Sequence, residues 1–179
     1  MKQLKLLRGE NKAYGGELLK TRRGRSQARP LATKHSIHLV LRSSKAIGAW
    51  SFRRAQNRRK VESALRKFSQ RFAVRILSMA NVGNHLHLQI QLTNRFTYRP
   101  FIRALTAAIA MAITGRNRWT KNKAEKVKFW DYRPYTRIVV GFRALLGLRD
   151  YIRINAWEGY GYDRREAEFI VKRGFFSTA

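Results

Sequence analysis

Asn84-His85-Leu86-His87-Leu88-Gln89-Ile90-Gln91-Leu92 (NHLHLQIQL) alternates apolar and polar residues from His85 onward. A period of two marks a strand with one face in a core and the other turned away from it. Leu86, Leu88, Ile90 and Leu92 take the core face; His85, His87, Gln89 and Gln91 take the opposite one. Two imidazoles two positions apart on a strand stand side by side, with Cα atoms roughly 7 Å apart from the strand rise. Their ring nitrogens can converge on one ion, and a strand presents them rigidly. A polar, half-solvated strand face that happens to carry two of the chain's 4 histidines fits the same pattern.

The neighbouring segments say what this strand belongs to. Val74–Ala80 is apolar and β-prone, and Val82-Gly83-Asn84 is a short turn, so the two runs form an antiparallel hairpin. Upstream, His35–Arg42 (HSIHLVLR) is a strand with Ile37, Leu39 and Leu41 on one face. Residues 55–72 carry Val61, Leu65, Phe68 and Phe72 at helical spacing, with arginines and lysines largely off that stripe. Downstream, Tyr98–Thr114 is a helix buried through Ile102, Leu105, Ile109 and Ile113. Tyr135–Val140 is a further strand, 142–156 a third helix, and 163–173 a short terminal one. Gly147 inside the third helix costs about 1 kcal/mol relative to alanine, and close packing is the only reason the sequence offers for it.

The resulting order, β-α-β-β-α-β-α, predicts an α+β fold. Its first six elements make a ferredoxin-like βαββαβ antiparallel sheet with helices on one face. The helix at 142–156 is added after it. Residues 1–32, basic and glycine-rich, are expected to form an N-terminal arm, either poorly ordered or lying along phosphates. Residues 33–179 form the domain proper.

Composition narrows the partner. The 179 residues include 39 Lys and Arg against 10 Asp and Glu, a formal charge of +29, while 44% are hydrophobic. A globular chain so charged repels itself unless a polyanion binds it, and nucleic acid is the commonest one. No apolar run approaches the roughly 20 residues that span a bilayer, and no signal peptide is recognisable at the N-terminus. Neither a membrane partner nor secretion is expected; the expected setting is the cytoplasm or nucleoid of a bacterial cell. Cysteine is absent, which excludes disulfides and thiolate zinc sites.

A second segment carries chemistry. In Asp150-Tyr151-Ile152-Arg153-Ile154-Asn155, Tyr151 and Asn155 are one helical turn apart on a shared face. An amide oxygen can complete a hard-cation site beside imidazole, and a hydroxyl one turn away could reach a phosphate held there. An aromatic packed at a helix–sheet boundary is the plainer reading of Tyr151. Between the third strand and the fourth, Arg116, Arg118, Lys121, Lys123, Lys126 and Lys128 surround Trp119. Such a loop mixes phosphate contacts with a stacking platform, or is simply a solvated charge run. Trp157, Tyr160 and Tyr162 could likewise stack on bases or merely pack. His38 could approach the His85/His87 face if its strand is adjacent, although a structural or solvent-facing role is the default.

Together NHLHLQI, KFWDYRPYTRIV (Lys128–Val139) and DYIRIN (Asp150–Asn155) resemble the HUH endonucleases. Within these they resemble the single-tyrosine, IS200-like transposases, and among those the REP-associated tyrosine transposases. The resemblance spans roughly residues 33–157. It implies His85, His87 and Asn155 as ligands of Mg²⁺ or Mn²⁺, and Tyr151 as nucleophile on the added, catalytic helix. It implies single-stranded or hairpin DNA as substrate, nicked through a covalent phosphotyrosine and rejoined by strand transfer. Relatives act as monomers or as homodimers that exchange the tyrosine helix. A phenol holds its proton well above neutral pH, so cationic charge nearby, from Arg149, Arg153 or the metal, would favour the attacking phenolate. The competing reading is a non-catalytic nucleic-acid-binding protein on the same sheet. RNA-recognition modules of that fold carry aromatics on central strands, whereas this strand carries His and Gln, which favours the enzyme.

Overall fold

The computed structural model describes residues 14–15, 29–115 and 128–174. Strands β1 (Tyr14–Gly15), β2 (Ser36–Arg42), β3 (Val74–Asn81), β4 (His85–Leu92) and β5 (Tyr135–Val139) form one sheet in the order β1-β5-β2-β4-β3. All pairings are antiparallel. Leaving aside β1, a two-residue addition at the edge, this is the ferredoxin-like arrangement. β4, the strand of alternating residues, lies between β2 and β3.

Helices α1 (Ala55–Arg71) and α2 (Tyr98–Thr114) cover one face. Ile37, Leu39 and Leu41 of β2 and Leu86, Leu88 and Ile90 of β4 meet Val61 and Leu65 of α1 and Leu105 and Ile109 of α2 in the main core. Burying each such side chain contributes about 1.5–3 kcal/mol. The segment before β5 is tied to this core by its aromatics. Phe129 packs edge-on against Phe52 at 6.0 Å, and Trp130 Nε1 donates to the Thr106 carbonyl. Asp131 accepts from the Ser44 backbone N–H and hydroxyl.

The opposite face is covered in part by α3 (Phe142–Tyr160), which is followed by α4 (Arg164–Lys172). The third helix thus runs beyond the expected end at 156, and Trp157 and Tyr160 belong to its last turns. Leu148 and Ile152 of α3 pack on Ala80 of β3 and Val139 of β5 in a smaller second core. A β-bulge prepares this contact. The register between β3 and β4 shifts between Ile76 and Ser78. Strict alternation would put Ala80 on the same face as Val74 and Ile76; the extra residue, Leu77, moves it to the α3 side. α4 begins with a capping box, Asp163 and Glu166 each accepting the other's backbone N–H.

Among the described residues no helix is long and apolar enough to cross a membrane. Of the expected arm, the described parts are the backbone of Tyr14–Gly15 on the edge of β5 and residues 29–32. Arg29 Nη1 donates to the Pro134 carbonyl at 2.7 Å and to Thr136 Oγ1 at 2.8 Å. Arg116, Arg118, Trp119, Lys121, Lys123 and Lys126 lie outside the described residues; Lys128 is described and exposed.

Candidate active site

The polar face of β4 is only partly solvated, with His85 and Gln91 half-buried. His87 and Gln89 are buried, His87 beneath Tyr151 of α3 and Gln89 between Ser78 and Ser36 of the flanking strands. Helix α3 places Leu148, Ile152, Asn155 and Gly159 on its buried stripe, and Tyr151 sits at the edge of the stripe, 37% exposed. The Tyr151 ring meets His87 edge-on with centroids 5.3 Å apart. The helix therefore packs on the His85/His87 side within a single chain. His85 and His87 themselves are neighbours, with ring centroids 4.7 Å apart.

The close approach of α3 depends on Gly159, a residue without an evident role in the sequence. A Cβ at that position would collide with the Asn81 carbonyl oxygen. Asn81 ends β3, and its side chain holds the turn that leads into His85. Its Nδ2 donates to the Phe52 carbonyl at 2.9 Å and its Oδ1 accepts from the Gly83 N–H at 3.0 Å. Gly83 itself has φ +96°, which only glycine adopts without strain.

The ring nitrogens of the two histidines are differently engaged. His85 Nδ1 lies 2.6 Å from Asn84 Oδ1, an oxygen that can only accept. Nδ1 therefore carries the proton, and Nε2 presents its lone pair. His87 Nδ1 lies 3.1 Å from His38 Nε2, while His87 Nε2 is buried with no hydrogen-bond partner. A buried polar atom without a partner costs free energy unless something outside the protein satisfies it. His38 is buried too. β2 is adjacent to β4, so it meets His87 diagonally across the sheet, the rings stacked at 5.4 Å. It is neither solvent-facing nor distant from the pair. The alternation of β2 placed it on this face, but the adjacency of the strands needed the topology.

All three imidazoles are held neutral. Burial pushes His38 down to about 4, assisted by the positive charge of Arg137. Burial, then His85 and His38, pushes His87 down to about 3. Burial and Arg42 lower His85, with Glu158 opposing them. A neutral imidazole is the form that binds a metal ion.

Asn155 is buried, and its Nδ2 donates to the Tyr151 carbonyl at 2.7 Å. That bond leaves Oδ1 as the amide atom able to serve a cation. Among the described residues no group of three His, Cys, Asp or Glu side chains is arranged to hold a metal ion. The candidate set of two imidazoles and one amide is of a different composition. The orphaned Nε2 of His87, the free Nε2 of His85 and the neutrality of both rings fit such an ion.

The expected cations beside Tyr151 have an acidic partner. Arg149 and Arg153 both pair with Asp150, at 3.4 and 4.0 Å. Arg164, at the start of α4, instead places its guanidinium carbon 6.0 Å from the Tyr151 ring centroid, while also pairing with Glu158 and Glu168. Nothing in the sequence order connects Arg164 to Tyr151; the turn at Gly161–Asp163 does. Trp157 meets Tyr160 and Tyr162 at 6.0 and 5.1 Å, and the two tyrosines remain exposed.

The chain is thus a ferredoxin-like sheet bearing paired histidines, with a tyrosine helix across them. The family described as "Transposase IS200 like" matches residues 32–155. The chain belongs to that family, and with it to the proteins of DNA transposition. Its fold is that of a REP-associated tyrosine transposase bound to a REP hairpin, at TM-score 0.57 and 14% identity, over 86% of this chain and 76% of that one. A Deinococcus radiodurans R1 protein provisionally described as a transposase is similar at TM-score 0.41 and 15% identity, over 75% of this chain and 98% of that one. No curated protein matches the chain.

Proposed function

We propose that this protein is a DNA endonuclease and strand transferase that cuts single-stranded or hairpin DNA through a covalent bond to Tyr151. The observation that carries the proposal is the half-exposed Tyr151 ring set edge-on to His87, whose Nε2 is buried and unpartnered. Family membership supports the reaction class, and the solved relative bound to a REP hairpin supports the substrate class.

His85, His87 and Asn155 would hold Mg²⁺ or Mn²⁺, which when bound withdraws charge from a phosphodiester and so makes it susceptible to attack. Asn84 Oδ1 and His38 Nε2 hold Nδ1 of the two imidazoles, and with Nδ1 protonated in both, each Nε2 would be left for the ion. The Tyr151 oxygen forms a bond to phosphorus as the bond from phosphorus to the 3′ oxygen breaks. The departing oxygen takes a proton and becomes a 3′-hydroxyl; the 5′ side stays on Tyr151 as a phosphodiester. The bond energy is retained, so a 3′-hydroxyl of another strand can reverse the step and join the DNA. Arg116, Arg118, Lys121, Lys123, Lys126 and Lys128 would contact phosphates, and Trp119 would stack on a base. The protein would work in the bacterial cytoplasm, at the nucleoid.

The test is incubation with Mn²⁺ and end-labelled hairpin DNA, followed by a denaturing gel. A covalent adduct is expected. Tyr151→Phe abolishes it and His87→Ala reduces it to near background. Absence of an adduct across a broad set of single-stranded substrates, with DNA binding intact, would leave a non-catalytic DNA-binding protein as the reading.

A further inference from the structure

Gly147 lies in the interior of α3, where glycine weakens a helix relative to alanine. Close packing does not demand it, because a Cβ built there meets nothing within 4 Å. The position instead lines a cleft of about 460 Å³, together with His38, Tyr135, Arg137 and Tyr151. The walls come from β2, β5 and α3; His85 and His87 contribute none of them. Tyr151 thus stands between the paired histidines on one side and this cleft on the other. Gly147, one turn earlier on the same helix, is where a side chain would reach into the cleft.

The cleft has the size of a small-ligand pocket and the chemistry of a base site. Tyr135 and Tyr151 both stand edge-on to His38, at 6.2 and 5.7 Å between ring centroids. Aromatic rings set around an imidazole offer a planar base surfaces on which to stack. Arg137 carries a planar guanidinium that suits base edges and phosphates alike. We infer that this cleft receives the nucleobase next to the phosphate attacked by Tyr151, and that Gly147 keeps it open. The inference rests on the nuclease reading above, since it places the base relative to that phosphate. A base seated here would fix the strand on the far side of Tyr151 from the histidines. The phosphate would then be located by two anchors.

Two variants separate packing from binding. Gly147→Ala should raise Tm by roughly 2–4 °C, as removal of a mid-helix glycine does in a chain of this size. Gly147→Leu should leave the circular dichroism spectrum unchanged and fill the cleft. Its adduct yield on an intact hairpin should fall at least about fivefold, the lower end of what one stacked base contributes. An abasic site in the flanking nucleotide should cause the same loss in wild-type protein and no further loss in Gly147→Leu.

A second readout needs no cleavage. With 2-aminopurine placed singly along the oligonucleotide, one position should be quenched by wild-type protein and not by Gly147→Leu. If wild type forms no adduct but the Gly147-dependent quenching is seen, the nuclease reading fails and the base site stands. If adduct yield and the quenching pattern are the same in wild type and Gly147→Leu, the base site is wrong and the nuclease reading is untouched.

Discussion

At the scale of single residues, His38 is the side chain on which the arrangement of the site turns. Its Nε2 lies 3.1 Å from His87 Nδ1; when His38 accepts there, the His87 proton sits on Nδ1 and Nε2 keeps the lone pair that a cation needs. Removing a partner of this kind typically weakens metal binding about 10–100-fold. His38→Ala should therefore lower Mn²⁺ affinity in a titration followed by electron paramagnetic resonance, with the far-ultraviolet spectrum unchanged. Unaltered affinity would mean that His87 needs no such support. The same burial has a consequence for acid stability without metal. His38 and His87 ionise at about 4 and about 3 in the fold, against 6.5 for an unhindered imidazole. Well above 6.5 neither the folded nor the unfolded chain is protonated at these positions, so there they add no pH dependence. As pH falls below that value the unfolded chain takes up protons that the folded one refuses, and stability declines until the folded values are reached. With chelator present, Tm should fall between about pH 7 and about pH 4.5, and the fall should be shallower in His38→Gln. Equal slopes would assign the acid sensitivity to other groups.

At the scale of elements, the contrast between two glycines of α3 shows what the helix is for. Gly147 faces open space, and Gly159 faces the Asn81 carbonyl. Gly159→Ala forces the helix off β3 or strains the turn before His85. Overpacking of this kind costs roughly 1–3 kcal/mol. The expected result is a lower Tm, faster amide exchange in α3 and a reduced adduct yield, the opposite of the gain expected from Gly147→Ala. A Gly159→Ala protein as stable as wild type would show that the helix has freedom to shift. These two glycines also mark the limit of what the sequence conveys. Period-two and helical spacing placed β2, β4, α1 and α2 to within a residue or so, because each buries one face and the pattern records burial. The histidine pair and the tyrosine turn were legible for the same reason. The bulge at Leu77, the neighbour of Gly159 and the pairing of His38 with His87 are relations between distant segments, and local pattern carries no trace of them. Arg164 was missed because the turn after α3, rather than any spacing, brings it to Tyr151.

At the scale of the whole molecule, the charge of +29 needs a counterpart. The described arm segments make contacts with neutral groups of the domain. Tyr14–Gly15 extends the sheet at β5, covering an otherwise open edge, and Arg29 is committed to Pro134 and Thr136 with its guanidinium carbon 5.6 Å from the Tyr98 ring centroid. Arg29 is therefore tied to the domain rather than held out for phosphate. The basic residues around Trp119 are the better candidates for that role. Each phosphate neutralised releases counterions, so the logarithm of affinity for a single strand falls with the logarithm of salt at about 0.7 per contact. If Arg116, Arg118, Lys121, Lys123, Lys126 and Lys128 each neutralise one phosphate, they supply a slope of about −4. Replacing all of them with glutamine should flatten the measured slope by that amount, as read by fluorescence anisotropy over a salt series. Trp119→Ala should behave differently, lowering affinity by an amount that hardly varies with salt, because stacking releases no ions. If the glutamine variant keeps the wild-type slope, the phosphate contacts lie on another surface, and the loop is a solvated charge run.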